Sequence, residues 1–236
     1  MTAADRVSKL LMPRRPILFL TLVACLLAAV TASSASAASS QDVTFESPLD
    51  FVDASVRGQT FDEVSAFGVR SIRVMLYWKD VAPNATSRIR PKGDLSAPSS
   101  YDWSKYQPIF DEAESRGMRV LLTVTSPAPV WATKRANDDV TRPSPDRFRE
   151  FVMAVSRQFG STVTQYSFIN EPNLPQFLKP QYENGKAVSP AIYRGLYDAA
   201  LRGLKAVGDT KPVLMGETAP NGAAPRTVAP IDFLRG

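Results

Sequence analysis

The stretch Val163-Thr164-Gln165-Tyr166-Ser167-Phe168-Ile169 has the apolar and β-branched character of a buried strand, and Asn170-Glu171-Pro172-Asn173 follows it directly. A strand interior does not suit this second group, because a buried carboxylate loses its water and a proline removes a ladder donor. The same residues suit the carboxyl end of a strand, where functional side chains gather in loops. We therefore interpret residues 163–173 as a strand that ends at a candidate functional edge.

The order of elements around this stretch occurs four times along the chain. In each case an amphipathic helix ends at a glycine, and a short apolar strand follows within a few residues. The glycines are Gly68, Gly117, Gly160 and Gly208. Each predicts a left-handed helix cap, which glycine adopts without a Cβ penalty. These glycines follow one another at intervals of 49, 43 and 48 residues, and repeats of this length are typical of βα units.

Cap residues predict where the helices begin. Thr60, with a glutamate three positions later, has the pattern of a capping box and predicts the start of the first helix. The second helix is expected to follow residue 103. Ser144-Pro145 and Ser189-Pro190 each predict a cap followed by a proline in the first helical turn.

The predicted strands alternate with these helices, which predicts a parallel sheet covered by helices. On the second strand Ile72, Val74 and Leu76 share an apolar face, whereas Arg73 and Tyr77 lie on a more polar face. The polar face suits the interior of a barrel near its mouth. An open doubly wound sheet is the alternative, but no strand is followed by the glycine-rich turn of a dinucleotide site. The five predicted strands are residues 43–45, 72–77, 120–124, 163–169 and 213–215.

The amino terminus has the pattern of a secretory signal peptide over residues 1–37. Arg14-Arg15 precedes an apolar run over residues 17–30, and Ala35-Ser36-Ala37 is a small-residue cleavage site. The apolar run has about 14 residues, whereas a membrane-spanning helix needs roughly 20. We expect a secreted protein without stable membrane insertion after cleavage, whose mature domain begins near Ala38 and continues to residue 236.

A lipoprotein is the alternative for the leader, because Leu22-Val23-Ala24-Cys25 resembles a bacterial lipobox. Cys25 is the only cysteine, so cleavage after residue 37 leaves a chain that cannot form disulfides. The formal net charge of +5 also depends on the leader, since the remaining residues carry 24 basic and 22 acidic side chains. The charge therefore gives no indication of a nucleic-acid partner.

The chain has no histidine, which excludes Ser-His-Asp and Cys-His nucleophilic systems and argues against a catalytic zinc. We expect neither a metal nor a cofactor. The remaining acid-base candidates are carboxylates, of which Glu171 and Glu217 end predicted strands. Two carboxylates beside a scissile bond are the usual equipment of glycoside hydrolysis. Trp78 and Trp131, in loops after strands, are flat surfaces on which a sugar ring could stack.

The run Phe168 to Asn173, together with Trp131, resembles the clan of retaining glycoside hydrolases that includes family 5 cellulases and family 39 xylosidases. In that clan the Asn-Glu pair ends the fourth strand, and residues 163–169 are the fourth predicted strand of this chain. The resemblance covers the chain from about Val43. It implies an α/β fold of the (β/α)8 TIM-barrel type and a carbohydrate substrate.

By the same resemblance, Glu171 is the general acid/base, which protonates the leaving oxygen and then activates water. Asn170 is the amide that binds the sugar hydroxyl next to the reacting carbon, and Arg73 matches an arginine that supports the nucleophile. The expected substrate-binding residues are Arg73, Trp78, Trp131, Asn173 and Glu217.

The chain departs from the clan in its length. The nucleophile of the clan is a glutamate at the end of the seventh strand, but only 19 residues follow Glu217. Three further βα units would need about 90 residues, so we expect an incomplete barrel of about five units that lacks the nucleophile. Three hypotheses stay open: a truncated secreted retaining β-glycosidase, a non-catalytic carbohydrate-binding surface protein, and an inverting hydrolase that uses Glu171 with Glu217.

Overall fold

The computed structural model describes residues 43–134 and 138–236. The signal peptide expected over residues 1–37 and the alternative of a lipidated Cys25 lie outside the described residues. None of the helices in the two described ranges has the length and apolar character that crossing a bilayer requires.

Five parallel strands form the central sheet, in the order β1-β2-β3-β4-β7. They coincide with the five predicted strands to within about two residues at each end, which confirms the expected α/β architecture. Two short antiparallel strands, β5 and β6, form a hairpin between β4 and the helix that follows it. The strands are β1 (Thr44–Phe45), β2 (Ser71–Tyr77), β3 (Arg119–Thr125), β4 (Val163–Phe168), β5 (Tyr182–Glu183), β6 (Lys186–Ala187) and β7 (Val213–Leu214).

Helices connect successive strands of the sheet, so each parallel pair is joined by a crossover. They are α1 (Pro48–Val52), α2 (Arg57–Ala66), α3 (Trp78–Val81), α4 (Gln107–Ser115), α5 (Pro145–Phe159), α6 (Ser189–Ala206) and α7 (Pro230–Arg235), with 3₁₀ turns at Pro98–Ser100 and Val130–Ala132.

The hydrophobic core lies between the sheet and the helices. Ile72, Val74 and Leu76 of β2 are buried in it, as the alternation of the sequence predicts. The aromatic rings of Phe110 and Phe159, from α4 and α5, stack with their centroids 3.9 Å apart. Full burial of such a side chain contributes about 2 kcal/mol to folding. The opposite face of the sheet is left to more polar side chains.

Three of the four predicted glycine caps are confirmed, because Gly68, Gly117 and Gly208 have φ angles of 78°, 62° and 74°. The prediction for Gly160 is wrong, since its φ is −58° and lies in the right-handed helical region. A Cβ at this position would overlap the carbonyl oxygen of Ser156. Gly160 is therefore required for close packing rather than for a left-handed backbone.

The helix starts follow the predictions only in part. Ser144 caps α5 as expected, because its side chain accepts a hydrogen bond from the Arg147 N–H. Helix α2 begins at Arg57, so Thr60 lies inside it, and its hydroxyl donates to the Val56 carbonyl instead of capping. Ser189 is the first residue of α6 rather than its cap, and its hydroxyl donates to the Gln181 side chain.

Candidate active site

The backbone changes conformation abruptly where β4 ends. The Ile169 N–H still donates to the Val124 carbonyl at 3.0 Å, but Ile169 has a φ of 59° and Glu171 a φ of 41°. A β-branched residue in this left-handed region is an outlier with a conformational cost of about 1–3 kcal/mol. The Asn170 N–H donates to the buried Thr125 hydroxyl at 2.9 Å, which helps to hold this conformation. Strain held in this way is common at functional sites.

A second unusual turn follows β7 on the neighbouring strand. Gly216 has a φ of 104°, and Glu217 has a φ of 20°. The Glu171 N–H donates a 3.0 Å hydrogen bond to the Glu217 carbonyl. The two carboxylate-bearing residues at the ends of β4 and β7 are therefore linked through their main chains.

Arg73 of β2 is at the centre of a charged cluster on the polar face of the sheet. It pairs in register with Leu121, two residues before Thr123, so its long side chain extends toward the carboxyl ends of the strands. Its Nε donates to Thr123 Oγ1 at 2.9 Å, and its Nη1 to Glu46 Oε2 at 2.5 Å. Its Nη2 donates to Asn170 Oδ1 at 2.9 Å. The sheet thus brings together groups from four of its strand ends.

The contact between Arg73 and Asn170 fixes the orientation of the amide. A guanidinium group only donates hydrogen bonds, so the amide atom that faces Arg73 is the oxygen. Nδ2 then points away from Arg73, and it has no hydrogen-bond partner within residues 43–134 and 138–236. Asn170 therefore presents two free N–H donors immediately before Glu171.

Glu217 is the second carboxylate of the cluster, and 16% of its side chain is exposed. Its Oε2 lies 2.9 Å from Nη2 of Arg73. This contact is an ion pair, and Oε2 accepts no hydrogen bond of good geometry from the described residues. Burial raises the pKa of Glu217, and attraction to Arg73 and the Ser167 hydroxyl opposes the rise without cancelling it. The neutral carboxyl form is therefore favoured beyond its usual pH range.

The Glu171 side chain is partly exposed, and it makes no hydrogen bond or ion pair with any of the described residues. It lies within electrostatic reach of Tyr77 at the end of β2. The pKa of the Tyr77 hydroxyl is raised chiefly by burial, with smaller contributions from Glu46, Asp80 and Glu171. Glu171 is thus a partly exposed carboxyl group at the edge of the cluster, without a charged partner among the described residues.

The two tryptophans expected to bind sugar have different environments. Trp78 is 1% exposed, and its ring stacks on Phe151 with a centroid distance of 5.1 Å, so the structure places it in the core rather than at a surface. Trp131 meets Trp78 edge-on and donates from Nε1 to the Pro83 carbonyl. Trp131 is also buried, with 9% exposed, but it lines a cavity of about 390 Å³ at the same end of the sheet.

Asn173 lies away from the charged cluster and is fully buried. Its Oδ1 accepts from the Ala219 N–H at 2.8 Å, and its Nδ2 donates to the Val228 carbonyl at 3.0 Å. All of its side-chain contacts are to the backbone of residues 219–228. The structure therefore places Asn173 as a support for the segment after β7, not as a group that faces a ligand.

The structure adds three residues that the sequence did not single out. Glu46 follows β1, Thr123 lies on β3 and Ser167 lies on β4, and the hydroxyls of Thr123 and Ser167 are 2.7 Å apart. Glu46 could have been found by the rule that identified Glu171, since it is a carboxylate directly after a predicted strand. No group of three or more acidic side chains in the described ranges is arranged to hold a metal ion.

No protein-family model matches the chain, and no curated protein matches it. Its fold is similar to that of the β-glycosidase from the hyperthermophile Thermosphaera aggregans, with a TM-score of 0.51 and 14% identity, over 69% of this chain and 42% of that one. The GH39 enzyme from Xanthomonas axonopodis pv. citri has a TM-score of 0.51 and 17% identity, over 75% and 35% of the two chains.

This likeness concerns the fold alone, because the identities are low. The chain spans less than half the length of either glycosidase. Its five parallel strands and their helices correspond to part of a TIM barrel. The predicted fold, an incomplete (β/α)8 barrel with about five βα units, is confirmed.

Proposed function

We propose that this chain carries the acid/base side of a retaining β-glycosidase that hydrolyses O-glycosidic bonds in a polysaccharide or oligosaccharide. The observation that carries the proposal is the 2.9 Å hydrogen bond from Arg73 to Asn170 Oδ1. It turns the Asn170 N–H donors away from Arg73, and Asn170 directly precedes Glu171 at the carboxyl end of β4. Active sites of TIM-barrel enzymes lie at this end of the strands.

Glu171 is the general acid/base of the proposed reaction. In the first step its carboxyl group donates a proton to the leaving oxygen as the glycosidic bond breaks. In the second step the carboxylate takes a proton from the water that attacks the reacting carbon.

Asn170 binds the sugar hydroxyl beside the reacting carbon through Nδ2. Arg73 holds the other side of this amide, so the donor is oriented before substrate arrives. Such a preset donor stabilises charge in the transition state without a cost of reorganisation.

We assign Glu217 to substrate binding rather than to the nucleophile. Glu217 ends the strand next to that of Glu171, and the clan has its nucleophile on the far side of the barrel. We place the nucleophile on none of the described residues. The signal-peptide pattern over residues 1–37 supports action outside the cell.

The test is hydrolysis by the full chain of two β-glycosides that differ in leaving group, one a nitrophenol and one an unactivated alcohol. Removing a general acid in Glu171→Gln should slow release of the alcohol by about 10²- to 10⁴-fold and release of the nitrophenol by less. The exposed Glu114→Gln is the matched control and should keep full activity. Measurable hydrolysis by wild type at the same rate as by Glu171→Gln would refute the assignment.

The stereochemistry of the first product separates the alternatives. Retention, followed by NMR of the newly formed sugar, supports the proposed mechanism. Inversion, with activity lost in both Glu171→Gln and Glu217→Gln, would instead support an inverting pair. Saturable binding of an oligosaccharide without turnover would support the non-catalytic alternative.

A further inference from the structure

Two cavities adjoin at the end of the sheet that carries Glu171. One, of about 390 Å³, lies between the loop after β3 and the first turns of α5 and α6. The other, of about 600 Å³, lies between that loop and the segments after β4 and β7. Lys134 and Arg142 line both cavities, and we treat the two adjoining cavities as one groove. We call it the basic groove.

The charges along the basic groove are mainly positive. The smaller cavity is lined by Lys134, Arg142 and Arg147 and by no acidic residue. The larger adds Lys179 and Arg226 and is lined by two acidic residues, Asp138 and Glu183.

Internal ion pairs account for only some of these cations. Arg142 lies 2.6 Å from Glu183, and Lys179 lies 3.7 Å from Asp138. Neither Lys134 nor Arg226 has an acidic partner within residues 43–134 and 138–236. The groove therefore has positive charge that its own acidic residues do not neutralise.

The smaller cavity combines this charge with apolar surface. Trp131, Pro143 and Ile192 line it together with the cations. A sugar ring has apolar C–H faces, so an apolar wall beside a cation suits a ring that bears a negative group. A neutral sugar would leave the ammonium group of Lys134 without a counterion.

A direct contact joins the basic groove to the candidate active site. Gln181, which lines the larger cavity, donates from Nε2 to the Pro172 carbonyl at 3.0 Å. Pro172 follows Glu171 in the chain. The larger cavity therefore contacts the chain next to Glu171 through the buried side chain of Gln181.

We propose that the basic groove binds anionic sugar units, so that the substrate is an acidic polysaccharide whose rings carry carboxylate or sulfate groups. This inference rests on the proposed function for the position of the scissile bond. The binding of charged sugar units is argued from the groove residues alone, and it can be measured without hydrolysis.

The experiment measures binding of three oligosaccharides of equal length to the full chain by calorimetry: a uronic-acid oligomer, a sulfated oligomer and a neutral one. At least one charged oligomer should bind about tenfold more tightly than the neutral one at low salt. The preference should shrink when the salt concentration rises, because these cations are partly exposed. Tighter binding of only one charged oligomer identifies which negative group is the ligand. Equal binding of all three would overturn the inference.

The variant Lys134→Gln/Arg226→Gln removes two cations without breaking an ion pair of the described residues. Exposed pairs each change affinity by about two- to fivefold, so the double variant should lose about four- to twenty-five-fold in affinity for the charged oligomer. Arg202→Gln/Lys205→Gln, on the exposed face of α6, makes the same change in net charge away from the groove. Equal losses in the two double variants would overturn the inference, since they would indicate a general effect of charge.

The groove and the proposed function can fail separately. Binding of charged oligomers that depends on Lys134 and Arg226, without hydrolysis, supports the groove and contradicts the proposed function. Hydrolysis that depends on Glu171, with no preference for charged oligomers, supports the proposed function and overturns the inference that the groove binds anionic sugars.

Discussion

Arg73 and Asn170 are 97 positions apart in the chain, and a 2.9 Å hydrogen bond from guanidinium to amide oxygen joins them. The same guanidinium contacts Glu46 and lies 2.9 Å from Glu217. A single cation thus balances two carboxylates and orients one amide. The charged cluster depends on Arg73 more than on any of its other members.

Replacing Arg73 should destabilise the fold substantially. In Arg73→Gln the largely buried Glu217 loses its cation, and removing one partner of a buried pair costs about 3 kcal/mol. Urea unfolding of the full chain measures the loss. Lys105→Gln, which breaks the more exposed pair with Asp80, is the control and should cost less than about 1 kcal/mol. Similar losses in both variants would contradict a special role for Arg73.

The raised pKa of Glu217 predicts a particular dependence of stability on pH. Because its pKa is higher in the folded state than its ordinary value of 4.5, its contribution to stability is complete below pH 4.5 and is lost as pH rises through the folded pKa. Glu217→Gln cannot ionise, so its stability relative to wild type should increase between pH 4 and pH 7. Urea unfolding at both pH values tests this. A constant difference would show that Glu217 ionises normally.

The contribution of Asp209 to stability should depend on pH in the opposite direction. Burial alone would raise its pKa, but hydrogen bonds from Ser156, Tyr166 and Lys211 outweigh burial and lower it. Its contribution to stability is therefore present above its ordinary value of 3.8 and is lost as pH falls through the folded pKa. Asp209→Asn should lose about 2 kcal/mol at pH 7. It should lose less at pH 2.5, and a loss that is the same at both pH values would contradict the assignment.

Asn173→Ala should lower the free energy of unfolding by about 3 kcal/mol, because it leaves the Ala219 N–H and the Val228 carbonyl buried without a partner. The exposed Asn221→Ala keeps its backbone and should change stability little. Thermal or urea unfolding compares the two. An Asn173→Ala protein of normal stability but weakened oligosaccharide binding would instead place Asn173 at the ligand.

Gly160→Ala should destabilise the fold by about 2 kcal/mol, because the new methyl group overlaps the Ser156 carbonyl oxygen and forces a shift of the backbone. Gly58→Ala is the matched control, since Gly58 lies within α2 and a Cβ there meets open space. That change should stabilise the fold by about 0.5 kcal/mol, because alanine loses less conformational freedom on folding than glycine does. If both substitutions changed the free energy of unfolding in the same direction, the proposed difference between Gly160 and Gly58 would be contradicted.

The sequence predicts the features that depend on local pattern. The alternation along β2 places Ile72 in the core and Arg73 on the polar face, as the structure has them. The position of Asn170 and Glu171 after a strand also follows from local chemistry. A strand end is where a buried chain meets solvent, so polar residues there are informative.

The features that the sequence does not predict depend on contacts between distant segments. Trp78 follows a strand and was expected at a sugar-binding surface, but it begins helix α3 and its ring turns toward Phe151. Asn173 lies in a polar run, yet the segment after β7 folds over its amide. Neither the direction of the Trp78 ring nor the burial of Asn173 has a signal in the neighbouring residues.

The hydrogen bond from the Glu171 N–H to the Glu217 carbonyl makes the ends of β4 and β7 one mechanical unit. A shift of the segment after β7 is transmitted to Glu171 through the main chain, without passing through any side chain. Substitutions that move this segment should therefore disturb the position of Glu171 even where every side chain around it is unchanged. The alignment of Glu171, the proposed acid/base group, is thus a property of two loops together.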